Sequence, residues 1–121
     1  VLVSRDGKRL YTANITSQNV SVLDRASGEL ITQVPCRKGT EGMAFTPDGK
    51  HLWIGNQTMD GSITIIDLAT HKPIKTFDCP GMPVRIRFTD DGKLALVTGW
   101  AKKGQLTVID TATLKEVKRS Y

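Results

Sequence analysis

Long apolar runs are missing from this 121-residue chain. No stretch approaches the roughly 18 residues that a membrane-spanning helix needs, so a helical membrane span is excluded. Cysteine is scarce: Cys36 and Cys79 are the only two, which excludes a disulfide-dense scaffold. Histidine is equally scarce, with His51 and His71 alone. Neither cysteine lies in a CxxC pair or at metal-ligand spacing from a histidine, so a zinc or redox centre is not expected, nor any resident cofactor. No Gly-rich phosphate loop, Gly-x-Ser-x-Gly elbow or paired-carboxylate motif is present. The balance of 17 Lys plus Arg against 12 Asp plus Glu gives +5, but the excess is spread. Its clusters are Arg37-Lys38, Lys102-Lys103 and the tail Lys115, Lys118 and Arg119. No basic stretch is interleaved with aromatics, which argues against nucleic acid as a partner. The start, Val1-Leu2-Val3-Ser4, has no initiator Met and no basic-then-apolar segment, so the chain reads as a mature product or a piece of something longer.

What is present is repetition. Asp-Gly-Lys occurs at 6–8, 48–50 and 91–93, and an apolar pair closed by Asp occurs at 22–24, 65–67 and 108–110. Between them stand Tyr11-Thr12-Ala13-Asn14, Trp53-Ile54-Gly55-Asn56 and Leu96-Val97-Thr98-Gly99. All three markers keep their order at steps of 42 or 43 residues, a period that belongs to repeat architectures. Each repeat reads as four short strands. In the second they are 43–46, 52–55, 63–67 and 74–77, separated by Pro47-Asp48-Gly49, a polar loop at 57–61 and the turn Ala69-Thr70-His71. No segment keeps a helical period, so no helix is expected. The third strand, Ile63-Thr64-Ile65-Ile66, is apolar on both sides, so both faces of its sheet are covered. Four-stranded antiparallel units of this period, packed face to face, are propeller blades. The predicted fold is all-β, a partial or half β-propeller, with blade one at 1–41, blade two at 42–83 and blade three at 84–121. A β-sandwich accounts for the strands but not for the strict repeat.

The runs Ser4–Asn14 and Thr46–Asn56, with Asn19–Asp24 and Gln105–Thr113, resemble the YVTN-repeat family of β-propellers. The family's Tyr-Val-Thr-Asn run corresponds to Tyr11-Thr12-Ala13-Asn14, and blade three departs from it at Thr98-Gly99. The resemblance covers the whole chain and implies a propeller. It also implies a periplasmic, secreted or cell-surface location. For function it is broad, since such relatives include surface-layer proteins, secreted binding propellers, lactonase-like enzymes and the propeller parts of periplasmic redox enzymes.

The repeated carboxylates have a structural reading. Asp24, Asp67 and Asp110 end a strand, where an Asp accepts backbone N–H groups two residues on. Rotation about the axis would place them on different blades, too far apart to share an ion. Cys36 and Cys79 are one period apart. Equivalent points on neighbouring blades meet the ~7 Å limit for a disulfide only close to the axis, so two free thiols are predicted. His51 and His71 are read as exposed turn residues.

Candidate ligand-binding residues fall in two groups. The loops joining second to third strands, and those joining blades, share one face. They bring Arg37, Lys38, Trp100, Lys102 and Lys103, an aromatic among cations, suited to an anionic or carbohydrate-like ligand or a protein rim. The alternative is solvated lysines and a Trp packed on its neighbour. The second group is Arg85 and Arg87 on the innermost strand of blade three, where the other blades carry Gly42, and Ala44 or Leu2. A buried cation requires a partner, either an anionic ligand at the axis or a carboxylate such as Glu41. No catalytic residue is assigned. The expectation is a non-catalytic binding or scaffold module. The alternative is a fragment of a lactonase-like or redox-associated propeller enzyme whose catalytic residues lie mostly elsewhere. Closed propellers have ~4–8 blades, and this chain holds just under three repeats. The expected partners are therefore the remaining blades of a longer chain, or a second copy completing a ring of six blades.

Overall fold

The computed structural model describes residues 1–121 and contains twelve strands and no helix. Blade one is β1 (Leu2–Val3), β2 (Arg9–Asn14), β3 (Asn19–Asp24) and β4 (Leu30–Pro35). Blade two is β5 (Thr40–Phe45), β6 (His51–Asn56), β7 (Ser62–Asp67) and β8 (Lys72–Asp78). Blade three is β9 (Pro83–Phe88), β10 (Leu94–Gly99), β11 (Gln105–Asp110) and β12 (Lys115–Ser120). Each blade is a separate four-stranded antiparallel meander in sequence order. β5 and β9 begin two and one residues ahead of the repeat-based blade boundaries. In each case a bulge near the strand start admits the extra residue.

The turns explain why the repeat is so regular. The hydroxyls of Ser4, Thr46 and Thr89 each donate to the Asp two residues on, Asp6, Asp48 and Asp91, at 2.6 Å. The same carboxylate oxygens accept the N–H groups of Lys8, Lys50 and Lys93 at 3.0 Å. Gly7, Gly49 and Gly92 supply φ of 73°, 72° and 70°, a region that costs other residues strain. In the second turn Asp67 accepts from the N–H of Ala69, two residues on, as expected. Asp24 and Asp110 accept instead from Ser27 and Thr113, three residues on. These turns are one residue longer than a β-turn, closed by Gly28, His71 and Leu114 N–H donating to the carbonyls of Asp24, Asp67 and Asp110.

Blade three lacks the Asn that the other blades carry at the end of their second strand, and a substitution restores its hydrogen bonds. Asn14 Nδ2 donates to Asn19 Oδ1 and Ser21 Oγ at 2.8 Å, and Asn56 Nδ2 to Ser62 Oγ and Thr64 Oγ1 at 3.0 and 2.9 Å. In blade three Gln105 Nε2 takes over, donating to Thr107 Oγ1 and to the Pro80 carbonyl at 2.9 Å. Thr107 is buried, so its hydroxyl would otherwise be costly to leave unpaired.

The core lies between the blades. One cluster joins Tyr11, Val20, Val22 and Val34 of blade one to Leu52, Ile54 and Ile66 of blade two. The other joins Trp53, Ile63, Ile65 and Cys79 on the blade-two side to Ile86, Ala95, Val97 and Ile109 of blade three. The same aromatic wedge recurs in both: Tyr11 stands edge-on to Phe45 at 5.4 Å and Trp53 edge-on to Phe88 at 5.0 Å. Close to the axis the backbones themselves meet. A Cβ on Gly42 would fall on the Val84 carbonyl oxygen, and one on Gly55 would lie 2.8 Å from the Pro83 carbonyl oxygen. The outward faces of blades one and three remain apolar and open, with Val3 48% and Leu106 37% exposed and Leu10, Leu23, Leu96 and Val108 half-buried.

Two outcomes follow. Gly42→Ala should cost about 2–3 kcal/mol in urea unfolding, because the Val84 backbone has no flexible end to yield; a loss under ~0.5 kcal/mol would deny the close contact. The six turn carboxylates, Asp6, Asp24, Asp48, Asp67, Asp91 and Asp110, are all held below the ordinary value, chiefly by these hydroxyl and N–H donors. A depressed carboxylate stabilises the fold above the unfolded value, and that contribution is lost as pH falls through the folded one. The melting temperature should therefore drop below about pH 4, with a smaller drop in a Thr46→Val, Thr89→Val variant.

Candidate functional site

The innermost strands are β1, β5 and β9, and β5 and β9 lie side by side. Along the innermost three runs a concavity of about 690 Å³, lined by Leu2 of β1, Ala44 of β5, and Arg85 and Arg87 of β9, with Met43 and Phe88 among its apolar walls. The register places Arg87 opposite Leu96 where Ala44 stands opposite Trp53 and Leu2 opposite Tyr11. The equivalence read from the repeat therefore holds. Burial is not seen on this chain: both arginines are exposed, since they share the face of Leu96 and Thr98, which no further blade covers here, at the edge of the axial concavity. The Arg85 side chain is 70% exposed and pairs with Glu41 at 3.5 Å across the blade junction. At that exposure the pair contributes little stability. Arg87 makes no ion pair.

Arg85 also marks a change in how blades can meet. It occupies the position of Gly42, the place where blade two admits no side chain because the Val84 carbonyl lies against it. Thr98 likewise stands where Gly55 does. A further blade docked on blade three at the spacing of the second junction would drive its backbone into Arg85 and Thr98. Any such junction must therefore be wider at its axial end, beside the arginines.

The other candidate residues are not brought together. Arg37 and Lys38 line a shallow depression with Gln18, Thr58 and Asp60, between blades one and two. Trp100, Lys102 and Lys103 lie in the β10–β11 loop, and Trp100 is 73% exposed rather than packed on a neighbour. The β6–β7 loop separates the two groups, tied to the next blade link by Gly81 N–H to the Met59 carbonyl and Met82 N–H to the Thr58 carbonyl at 2.9 and 3.0 Å. An aromatic among four cations is thus not one site on this chain.

Cys36 and Cys79 are free, Cys36 partly and Cys79 fully buried, and burial pushes both thiols up to about 11. They stay protonated at neutral pH and are poor nucleophiles or ligands. The histidines differ from the expected exposed turn residues. His51 is half-buried, and His71 reaches across the first junction, its Nε2 3.1 Å from the Tyr11 hydroxyl. His71 carries φ 55° at the position held by Gly28 in blade one and Leu114 in blade three. Strain there is offset only by what the side chain touches. Neither the pair nor its groove was read from sequence. The period alone aligns His71 with Leu114, a residue packed in the second junction, and that alignment was the available signal.

With this geometry in view, the relationships of the chain are informative. A family model described as "Cytochrome D1 heme domain" matches residues 2–120. The chain belongs to the cytochrome D1 heme domain family. Among solved structures, hydrazine synthase from Kuenenia stuttgartiensis is similar, with a TM-score of 0.85 and 29% identity. The match covers 98% of this chain and 34% of that one, so the chain spans about a third of the length of that relative. No curated protein matches. The fold implied by the sequence resemblance is thereby shown: three four-stranded blades that make up part of a larger propeller.

The family description carries a heme, and the donors of this chain do not fit as ligands to its iron. The thiols are buried and protonated. His71 is engaged by Tyr11, and it lies with His51 among the residues beside the first-to-second-strand turns, away from the β9 arginines. No chemistry is assigned to the group here.

Burial holds His71 below the ordinary histidine value, with Arg9 adding to the effect. A depressed histidine favours the neutral folded form, so stability is full above the unfolded value near 6.5 and falls as pH drops through it towards the folded value. His71→Leu, the residue of the next blade, should remove that fall between about pH 7 and 5 in thermal melts; an unchanged slope would show that His71 is not its source.

Proposed function

We propose that this chain is a non-catalytic wall of a larger propeller that binds an anionic ligand at the propeller axis, with Arg87 and Arg85 supplying the charge. One observation carries the reading: β9 brings two arginines to a concavity that the equivalent strands line with Leu2 and Ala44. Arg87 pairs with no carboxylate of this chain, which supports it, as does the extra room that Arg85 and Thr98 impose on the next junction. Arginine suits carboxylates and phosphates through its planar, multiply donating head. A heme-type ligand belongs to this class through its two carboxylates, and the family description favours it. The open apolar faces of blades one and three are covered, on this reading, by further blades of the same chain or of a second copy.

A second reading draws on the similarity to hydrazine synthase: the chain forms part of a redox enzyme's propeller whose reacting groups lie on other segments. Both readings give the arginines a binding role and no chemical one.

The test uses the full-length protein and mesoporphyrin IX, a metal-free dicarboxylate, followed by fluorescence. Arg87→Ala should weaken binding about tenfold and Arg85→Ala less, because Glu41 already shares its charge. Equal affinity in the wild type and the double variant would overturn the proposal. Where turnover is measurable, KM should rise with kcat unchanged; a fall in kcat alone would contradict a binding role.

A further inference from the structure

The two blade junctions each leave a groove beside the first-to-second-strand turns, and the grooves differ in chemistry. The first, between blades one and two, measures about 680 Å³. Its rim carries Arg5, Lys8 and Arg9, and its walls include Tyr11, Phe45 and His71. The second, between blades two and three, measures about 430 Å³. There Pro47 replaces Arg5, His51 replaces Arg9, Trp53 replaces Tyr11 and Leu114 replaces His71, while Asp48 and Asp91 stand at the rim. The same scaffold is thus smaller and edged with two carboxylates and Lys75 at one junction, but larger and edged with three cations and one carboxylate at the next.

We propose that the first-junction groove is a binding site, separate from the axial concavity, for a small carboxylate with a flat apolar body. Three features converge. Arg5 is held in place by its Nη2 donating to the Pro47 carbonyl of the opposite blade at 2.8 Å, so its head is fixed across the junction at little further entropic cost. Lys8 makes no ion pair, and Arg9 is only partly offset by Asp24 at 3.3 Å. The one carboxylate on the rim, Asp6, is already engaged by the Ser4 hydroxyl and the Lys8 N–H. The edge-on rings of Tyr11 and Phe45, with Leu68, give the body of such a ligand an apolar wall. The Tyr11 hydroxyl and His71 Nε2, 3.1 Å apart, set a polar pair against that wall. Packing alone does not account for His71. Leu114 fills the same strained position in the second junction with an apolar contact, whereas His71 keeps the strain and brings a polar group.

Benzoate tests the site, titrated calorimetrically into the full-length protein, with benzyl alcohol and inorganic phosphate as comparison arms. Benzoate should bind at least tenfold more tightly than either, since the alcohol lacks the charge and phosphate the apolar body. Arg5→Ala with Lys8→Gln should weaken benzoate at least tenfold. Tyr11→Trp with His71→Leu, which installs the residues of the second junction, should abolish binding while the melting temperature at pH 8 is kept. If benzoate does not bind, or binds no better than benzyl alcohol or phosphate, or if either variant retains wild-type affinity, the site does not exist as described. Failure here leaves the axial proposal standing, because none of the four substituted residues, Arg5, Lys8, Tyr11 and His71, lines the axial concavity.

Discussion

The architecture depends on backbones meeting near the axis. Val84 and Pro83 present their carbonyl oxygens to positions where Gly42 and Gly55 carry no side chain. That approach brings the faces of blades two and three within packing distance. The aromatic wedge and the aliphatic strands behind it then close a dry layer. Neither blade has a core of its own: a four-stranded meander has two faces and nothing inside. The apolar surface of β7, buried along nearly its whole length, is stabilised half by the blade before and half by the blade after. The regular turns serve the same end. They fix where each strand starts, and so fix which residue arrives opposite the next carbonyl.

Function enters where that constraint is relaxed. Blade three keeps the turns, the strands and the hydrogen-bonded polar cluster, though Gln105 takes the part of the missing Asn. It gives up the glycines. Arg85 and Thr98 prevent a repeat of the close approach, and beside them Arg87 faces the axial concavity without an anionic partner. The first junction shows a milder version. It keeps its packing but exchanges Leu and Trp for His71 and Tyr11 and gains cations at its rim. In each place a departure from the repeat coincides with polar groups that packing does not require, which is how functional positions stand out from a regular scaffold.

Much of this was legible in the sequence because it repeats. Strand order, the free thiols, the Asp-Gly-Lys turns and the unusual place of Arg85 and Arg87 all follow from aligning the chain on itself. The hydroxyls of Ser4, Thr46 and Thr89 are equally repeated, but a Ser or Thr before a turn carries no signal until its bond to Asp is seen. What repetition could not give was the contact between repeats. Arg85 occupies the face that meets the next blade, and how far that blade covers it depends on a junction this chain does not contain. His71 looks like an exposed turn residue in the sequence because its partner, Tyr11, lies sixty residues away on another blade. Arg37 and Trp100 share a face in the repeat, and the β6–β7 loop that separates them follows only from the curvature of the assembly.

The central claim is that stability resides between blades and not within them. The direct test is a pair of double-mutant cycles on Trp53, which stands 5.0 Å from Phe88 of the next blade and 5.4 Å from Phe77 of its own. The cross-blade cycle, Trp53→Ala with Phe88→Ala, should show a coupling of about 1 kcal/mol or more, larger than that of the cycle with Phe77→Ala. Additivity across the junction, with coupling confined to Trp53 and Phe77, would contradict the account.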